Sequence, residues 1–283
     1  MKIAFIGAGS MTEAIIGGLL KKGICENGNI IVTNKQDLTR LQNLAIKYGV
    51  KATEDKQEAV TDANVIFLAM KPKDAKEGIQ AIKNYVTKKQ LVISILAGIS
   101  SEVIEDLFKQ KLRVIRSMPN TSAAIGLSAT AIAKGTYAQE EDLQLAQSLF
   151  SAIGLCTIVE EEQLHAVTGV SGSGPAYIYF IAEAMEKAAL AQGLDTTVAK
   201  KLVNQTLIGA AQMLQETDKS PDVLRKEVTS PGGTTQRGIS VLHDLKVSEA
   251  FVSCIDGATK RSREMGKEIA DKLKEKTSTR TDV

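Results

Sequence analysis

The stretch KIAFIGAGSMTEA, residues 2–14, decides the fold of this chain. It opens with an apolar run that predicts a short buried strand, and it continues as a segment that predicts a helix beginning at Ser10. Between the two, Gly7 permits a tight turn, and Gly9 lets the backbone approach a pyrophosphate at the positive end of the helix. The stretch therefore predicts a strand–turn–helix unit that binds a dinucleotide, with Ser10 and Met11 beside the phosphates.

A Gly-x-Gly pattern alone is weak evidence for a dinucleotide-binding turn, so the prediction depends on the sequence that surrounds these glycines. A second predicted strand, residues 29–34, follows the helix at the distance expected in a dinucleotide-binding domain. Thr12 stands where the usual fingerprint has a third small residue, which weakens the prediction of close helix–sheet packing at that position. An ordinary strand-to-helix turn is the alternative interpretation.

The first half of the chain alternates predicted strands with predicted helices. The helices fall in residues 10–23, 37–49 and 73–86, and Asp37 is the expected N-cap of the second. Alternation at this pitch predicts a mainly parallel sheet covered by helices on both faces. The strands of that sheet are predicted in residues 2–7, 29–34, 63–72, 90–98, 111–120, 127–135 and 154–161.

After Glu162 the pattern becomes helical throughout. Long helices are predicted in residues 173–193 and 196–217, and a shorter one in residues 220–230 opens with a serine cap and a proline at the first helical position. The predicted fold is therefore α/β. A Rossmann-type dinucleotide-binding domain in residues 1–162 is followed by an all-helical substrate-binding and dimerisation domain in residues 163–283.

Composition and charge exclude several classes of protein. The 283 residues are 43 % hydrophobic and 24 % charged, as in an ordinary globular protein, and the net charge of +2 argues against a nucleic-acid partner. No apolar run reaches about 18 residues, so no membrane span is predicted. Scattered cysteines without CxxC spacing, and the lack of a His, Asp or Glu cluster at ligand spacing, predict no metal site and favour a cytoplasmic location.

The end of the second strand is expected to select the cofactor. NAD sites usually place Asp or Glu there to bond the ribose hydroxyls. Here Asn34 and Lys35 present hydrogen-bond donors and one positive charge, with no carboxylate to repel a 2′-phosphate. This predicts NADPH as the preferred cofactor and NADH as the second choice. An exposed lysine without a ligand is the alternative interpretation of Lys35.

Three further strand ends are predicted to face the same cofactor, since ligands bind beyond the carboxyl ends of parallel strands. Small residues there let the backbone lie against a nicotinamide ribose, and one amide side chain reaches toward a nearby carbonyl or amide. For Lys71, a surface lysine before a proline stop is the alternative interpretation. The predicted contacts are Ala69, Lys71, Pro72, Ala97, Gly98 and Asn120.

Two segments of the second half share one design, VTGVSGSGPAY (167–177) and VTSPGGTT (228–235). Each is a run of small and hydroxyl-bearing residues that leads into a helix, where exposed backbone N–H groups hold a carboxylate well. They predict a site for a small carboxylate bound mainly by backbone, although a plain surface turn is the alternative for the second segment. In the first segment the predicted contacts are Ser171, Gly172, Ser173 and Gly174.

Together these motifs resemble the pyrroline-5-carboxylate reductase family. The resemblance extends along essentially the whole chain, from GAGSM (7–11) through MPNT (118–121) and SGSGPAY (171–177) to VTSPGGTT. It implies hydride transfer from NAD(P)H to the C=N bond of 1-pyrroline-5-carboxylate, which gives L-proline in the last step of proline biosynthesis. It also implies that the helical domain interlocks with a second subunit, so a homodimer or a ring of dimers is expected.

The chain departs from the family pattern at two positions near the cofactor. Ser122 follows MPNT where the family has proline, and Thr12 replaces a usual alanine. Both changes bear on loop stiffness and leave the predicted reaction unchanged.

The resemblance also implies the roles of individual residues. A protonated imine already carries the charge that activates it toward hydride, so the enzyme positions two planar groups and holds the carboxylate without a catalytic histidine or acid. The Thr235 hydroxyl orients the ring nitrogen and relays a proton. Thr234 and the backbone N–H groups of Gly232 and Gly233 form the carboxylate nest. The polar positions that align close to the substrate are Glu161 and Glu227.

Two other functions compete with this interpretation. A β-hydroxyacid dehydrogenase of the 6-phosphogluconate dehydrogenase type shares the two-domain plan, but it is expected to use a lysine that neither SGSGPAY nor VTSPGGTT contains. A non-catalytic NADPH-binding sensor on the same scaffold has no need to keep Thr235 or the nest. His165 is interpreted as a helix-packing or capping residue rather than a catalytic one.

Overall fold

The computed structural model describes residues 1–278, and positions 279–283, which the predicted helical domain includes, lie outside that range. Its centre is an eight-stranded sheet in the order β3-β2-β1-β4-β5-β6-β7-β8. Only the pairing of β6 with β7 is antiparallel among the described strand pairs. The strands are β1 Ile3–Ile6, β2 Ile30–Thr33, β3 Lys51–Ala52, β4 Val65–Leu68, β5 Leu91–Ser94, β6 Arg113–Met118, β7 Ser128–Lys134 and β8 Gly154–Ile158.

The strand order changes direction at β1, because β2 lies on one side of it and β4 on the other. Such a switch point opens a crevice at the carboxyl ends of the strands, which is where α/β proteins bind ligands. The predicted mainly parallel sheet is therefore confirmed, and its topology fixes where a cofactor would lie.

Helices cover the sheet and make up most of the second half. Asp37 caps α2 as predicted, since its side chain accepts a hydrogen bond from the Arg40 backbone N–H. The short helices α3, α5 and α6 were not predicted. The helices are α1 Ser10–Lys21, α2 Leu38–Tyr48, α3 Lys56–Val60, α4 Ala75–Ile82, α5 Ser101–Phe108, α6 Glu140–Phe150, α7 Leu164–Val167, α8 Gly174–Ala191, α9 Thr196–Glu216, α10 Pro221–Glu227, α11 Thr234–Asp244 and α12 Val247–Ser278.

The core has one layer on each face of the sheet, since alternate residues of each strand point to opposite sides. On one face Phe5 stacks on Phe67 with ring centroids 4.7 Å apart, and Phe150 of α6 meets Phe67 edge-on. On the other face Ile66 and its neighbours pack against α4 and α5. Because both faces are apolar, the strands read as continuous hydrophobic runs, which is why the sequence revealed them.

The junction of β1 and α1 explains how Thr12 fits where a smaller residue is usual. Thr12 is fully buried, and its hydroxyl donates a 2.8 Å hydrogen bond to the Gly7 carbonyl oxygen. Close approach of the helix comes one and a half turns later, where a Cβ added to Gly18 would lie 2.5 Å from the Ile153 side chain. The polar atom is thus satisfied, and Gly18 provides the close packing.

The chain forms two compact units. One comprises residues 1–173 and the part of α12 from Asp256, and the other comprises residues 174–255. The predicted division at residue 162 instead gave α7 and all of α12 to the helical domain. The difference arises because α12 packs on the sheet-containing unit: a Cβ added to Gly266 would lie 2.6 Å from the Gly98 carbonyl oxygen. The functional division into residues 1–162 and 163–283 stays a prediction.

Candidate functional site

A cleft of about 570 Å³ lies beyond the carboxyl ends of β1, β2 and β4. This is the position that the strand order assigns to a nucleotide. Residues from three different predicted cofactor motifs line it, so the fold brings those motifs together. The predicted cofactor residues that line the cleft are Gly7, Gly9, Ser10, Asn34, Lys35, Ala69 and Lys71.

The turn between β1 and α1 requires glycine for two different reasons. Gly7 has a φ of +121°, and a Cβ there would lie 2.5 Å from the Ala69 carbonyl oxygen, so only glycine lets the two strand ends meet. A Cβ on Gly9 would meet no described atom within 4 Å, so its lack of a side chain leaves open space in front of α1. Gly9 is the N-cap of α1, and no described side chain occupies its cap. Free amides facing open space at a positive dipole end fit a pyrophosphate.

The end of β2 carries more charge than the sequence indicated. Lys35 donates to the Glu77 carboxylate of α4, with Nζ and Oε2 2.6 Å apart, and that bond raises the pKa of Lys35. Asn34 accepts a 2.8 Å hydrogen bond from the Lys35 backbone N–H. The cation predicted to meet a 2′-phosphate is therefore already paired with a carboxylate, which the fold brings from a distant part of the sequence.

Three cations of the cleft were missed, Lys56, Arg40 and Lys73, and the first two hold the ends of β2 and β1. Lys56, the first residue of α3, donates to the Thr33 hydroxyl at 3.0 Å and to the Asn34 carbonyl oxygen at 2.8 Å. Arg40 donates from Nε to the Ala8 carbonyl oxygen at 3.1 Å and pairs with the Glu13 carboxylate. Both line the cleft. Only the pairing of β3 with β2 brings Lys56 there, and a two-residue strand has no periodicity to detect.

The remaining predicted cofactor residues lie outside the lining of this cleft. Met11 packs against the core, and Pro72 begins a short 3-10 turn. Gly98 has a φ of +78° and lies against α12, in the loop that also holds Ala97. Their contact with a cofactor stays a prediction.

Asn120 links the predicted cofactor site to the first predicted substrate segment. It is buried, its Oδ1 accepts from the Ser122 backbone N–H at 3.1 Å, and its Nδ2 donates to the Ser171 carbonyl oxygen at 3.0 Å. Both ends of the side-chain amide are thus occupied within the protein. Asn120 fixes the end of β6 against residues 168–172, and this connection was not predicted.

The segment VTGVSGSG is helical rather than a loop. Residues 168–172 form a π-helical turn after α7, and the Ser173 backbone N–H donates to the Thr168 carbonyl oxygen at 2.8 Å. A Cβ on Gly172 would lie 2.7 Å from the Met118 methyl group, so the turn packs tightly on the end of β6. The expectation of exposed N–H groups is thereby corrected for Ser173, because its amide already has an acceptor. Gly174 begins α8, and a Cβ there would meet no described atom within 4 Å.

The segment VTSPGGTT forms a turn that leads into α11. Gly232 has a φ of +72°, and its N–H donates to the Gln236 side-chain oxygen at 2.6 Å, while the Gly233 N–H donates to the Ser230 carbonyl oxygen at 3.0 Å. Both glycine amides of the predicted nest have acceptors within the segment, and their contact with a substrate carboxylate stays a prediction. The amides that lack a side-chain cap among the described residues are those of the first turn of α11, which Thr234 and Thr235 begin.

The two predicted glutamates make ion pairs of different kinds. Glu161 accepts from Arg116 Nη1 at 2.9 Å and from the Ser101 backbone N–H at 2.7 Å. Burial acts to raise the pKa of its carboxyl, but the bonds from Ser101 and the charge of Arg116 outweigh burial and hold that pKa below its ordinary value. Glu227 pairs with Lys219 at 2.7 Å on the surface. Both carboxylates are engaged within the protein, and their contact with a substrate stays a prediction.

His165 packs against α12, with its Nδ1 3.0 Å from the Ser262 hydroxyl oxygen, and burial lowers the pKa of its imidazole.

Among the described residues no group of three or more His, Cys, Asp or Glu side chains is arranged to hold a metal ion. None of the described helices is long and apolar enough to cross a membrane.

A switch-point cleft with an open helix N terminus and several cations is typical of one class of protein, the dinucleotide-dependent oxidoreductases. Two family models match separate parts of the chain. Residues 2–98 match a family described as NADP oxidoreductase, coenzyme F420-dependent. Residues 161–265 match the pyrroline-5-carboxylate reductase dimerisation family, which supports self-association.

Individual relatives agree along the full length. Pyrroline-5-carboxylate reductase 2 of Bacillus subtilis is 49 % identical over 98 % of this chain and 99 % of its own. The solved structure of a pyrroline-5-carboxylate reductase from Coxiella burnetii is 37 % identical with a TM-score of 0.88, over 93 % of this chain and 98 % of that one. A Plasmodium falciparum pyrroline carboxylate reductase, solved with NADP bound, is 25 % identical with a TM-score of 0.83, over 94 % and 98 % of the two chains.

The chain belongs to the pyrroline-5-carboxylate reductase family, the NAD(P)H-dependent oxidoreductases of the last step of proline biosynthesis. The predicted fold class, family and enzyme class are confirmed.

Proposed function

We propose that this chain reduces 1-pyrroline-5-carboxylate to L-proline with NADPH, and that it does so as a homodimer in the cytoplasm. The observation that carries the proposal is the turn after β1: Gly7 closes it, and Gly9 leaves the N terminus of α1 open beside a cation-lined cleft. When bound, NADPH supplies the hydride for the C=N carbon.

Different residues of the cleft bind different parts of the dinucleotide. The N terminus of α1, with Ser10 and Met11 in its first turn, receives the pyrophosphate. Asn34 and Lys35 face the ribose at the end of β2, and Ala69 and Lys71 follow β4. Gly98, with Ala97 beside it, lets the backbone lie against the nicotinamide ribose, and Asn120 holds the neighbouring turn in place.

The substrate carboxylate is held by the first turn of α11. Its amides carry a partial positive charge and lack a capping side chain among the described residues. Gln236 occupies the Gly232 amide, so a carboxylate reaches that donor only by displacing a neutral oxygen. Ser171, Gly172, Ser173 and Gly174 complete the substrate side, and Glu161 and Glu227 are kept as proposed polar contacts.

The Thr235 hydroxyl performs the proton step. It is the second residue of α11 and is exposed, so it can reach the ring nitrogen of a substrate whose carboxylate lies at the helix N terminus. A hydroxyl there donates a hydrogen bond to the lone pair of the neutral imine nitrogen and relays a proton from water to it, and hydride then converts the resulting iminium to the amine. No group of extreme pKa is required, because the imine is protonated before hydride arrives.

Self-association is proposed as a homodimer through the helical part of the chain, with a ring of dimers as the larger assembly. Residues 174–255 expose several large apolar side chains, among them Phe180 at 73 %. A patch of that kind on a monomer marks a contact surface.

The proposal is tested by comparing Thr235→Ala with Thr235→Ser. The alanine variant should form proline about 10- to 100-fold more slowly than the wild type, the range for losing one hydrogen bond to a group that becomes charged, while the serine variant should keep most of the rate. Both should bind NADPH with unchanged affinity in a fluorescence titration. Wild-type speed in the alanine variant, or a wild-type chain that forms no proline from 1-pyrroline-5-carboxylate, would overturn the proposal.

A further inference from the structure

Lys56 is a cation of the cofactor cleft that bonds neutral oxygens alone. Its ammonium donates to the Thr33 hydroxyl at 3.0 Å, to the Asn34 carbonyl oxygen at 2.8 Å and to the Glu54 carbonyl oxygen at 3.0 Å. No carboxylate among the described residues lies within ion-pair distance of it. Lys56 therefore keeps its full charge available to an anion.

The neighbouring cations differ in this respect. Lys35 is paired with Glu77 at 2.6 Å, and Arg40 is paired with Glu13. An anion that approached either side chain would compete with a carboxylate already in place. Lys73 also lines the cleft, but it follows β4 rather than β2.

The position of Lys56 matches the part of a dinucleotide that distinguishes NADPH from NADH. In Rossmann-type domains, groups at the end of the second strand meet the 2′ position of the adenosine ribose. Lys56 is bonded to Thr33 and Asn34, the residues at that strand end.

Partial burial makes the Lys56 ammonium a better ligand for a phosphate group. Lys56 is half-buried, and burial lowers the pKa of its ammonium, while the charges of Glu54 and Asp55 act in the opposite direction. A partly desolvated ammonium gains more from an anion than a fully hydrated one does. Exchanging a neutral oxygen for a phosphate oxygen also adds the attraction between opposite charges to a hydrogen bond that the ammonium already makes.

We propose that Lys56 selects NADPH over NADH by binding the 2′-phosphate, with the Asn34 amide beside it. The inference rests on the proposed function only in placing the cofactor in this cleft. It assigns the discriminating charge to Lys56, and it leaves Lys35 as a neutralised partner of Glu77.

Calorimetry with 2′,5′-ADP and 5′-AMP tests this directly, because the two ligands differ only by the 2′-phosphate. Lys56→Met should weaken 2′,5′-ADP binding by roughly 10- to 100-fold, the range for losing one charged hydrogen-bond donor. It should change 5′-AMP binding less than about twofold. Lys56→Arg should retain the preference for 2′,5′-ADP. The matched control Lys73→Met removes the same charge from the β4 side of the cleft and should change the preference little.

Two outcomes overturn the inference. Equal losses for both ligands in Lys56→Met would give Lys56 a structural role at the strand end. Loss of the preference in Lys35→Met but not in Lys56→Met would assign the selection to Lys35. A wild-type chain that prefers 2′,5′-ADP but forms no proline would contradict the proposed function alone, so the two failures are distinguishable.

Discussion

Replacing Glu161 by glutamine tests whether this carboxylate supports the fold or contacts the substrate. Its partner Arg116 has a side chain only 8 % exposed, whereas that of Glu161 is 29 % exposed. The variant leaves the buried guanidinium without its counter-charge and weakens the bonds from Ser101. Removing one partner of a fully buried pair costs about 3–5 kcal/mol. Because water reaches Glu161 in part, we expect a loss of about 2–3 kcal/mol here.

That loss corresponds to a melting temperature lower by about 5–10 °C for a chain of this size. Differential scanning calorimetry measures it, and Asp62→Asn is the control. The Lys2–Asp62 pair is mostly exposed, at 56 % and 76 %, so the control should cost less than about 1 kcal/mol. An unchanged melting temperature together with a raised KM for the substrate would refute the structural role and favour the direct contact.

The contribution of Glu161 to stability should depend on pH in a definite direction. The pKa of the Glu161 carboxyl is lower in the folded protein than its ordinary value of 4.5. Such a group adds stability above its unfolded pKa, and that stability is lost as the pH falls through the folded value. The difference in stability between the wild type and Glu161→Gln should therefore be full at neutral pH and should shrink as the pH drops below 4.5. A constant difference through that range would contradict the ion pair as its source.

Two further predictions concern the glycine turn and the assembly. Gly9→Val should keep the melting temperature, since no described atom lies within 4 Å of an added Cβ, but it should weaken NADPH binding at least about 10-fold by filling the phosphate space. Gly7→Ala should instead lower the melting temperature, because its Cβ would lie 2.5 Å from the Ala69 carbonyl oxygen. If the two variants lowered the melting temperature and the NADPH affinity to the same extent, the assignment of Gly7 to the fold and Gly9 to the cofactor would be wrong. Light scattering at low protein concentration should find a dimer or a larger species that is active, and an active monomer would refute the proposed homodimer.

The sequence predicted the sheet well, because buried parallel strands are continuous apolar runs that alternate with helices. It missed β3 and α3, since a strand of two residues and a helix of five are too short to show a period. The same omission hid Lys56, whose place in the cleft depends on β3 pairing with β2. The pairing of Lys35 with Glu77 was hidden for a related reason, because 42 positions separate the two residues and only the fold brings them together.

On the substrate side, composition identified the segments but could not identify which amides are free. SGSG predicts a loop from residue type, yet packing of Gly172 on Met118 and the bond from Asn120 to Ser171 hold the segment in a π-helical turn. Tertiary contacts override local preference in this case.

In VTSPGGTT the glycine amides are present as predicted, but Gln236 and Ser230 accept their protons. A bound carboxylate either uses the remaining amides of α11 or displaces Gln236. Displacement exchanges a neutral acceptor for a charged one, and charge-assisted bonds are about twice as strong. Gln236 would then hold the turn in its binding shape until the substrate arrives, and the freed side chain would have to find a new partner or water.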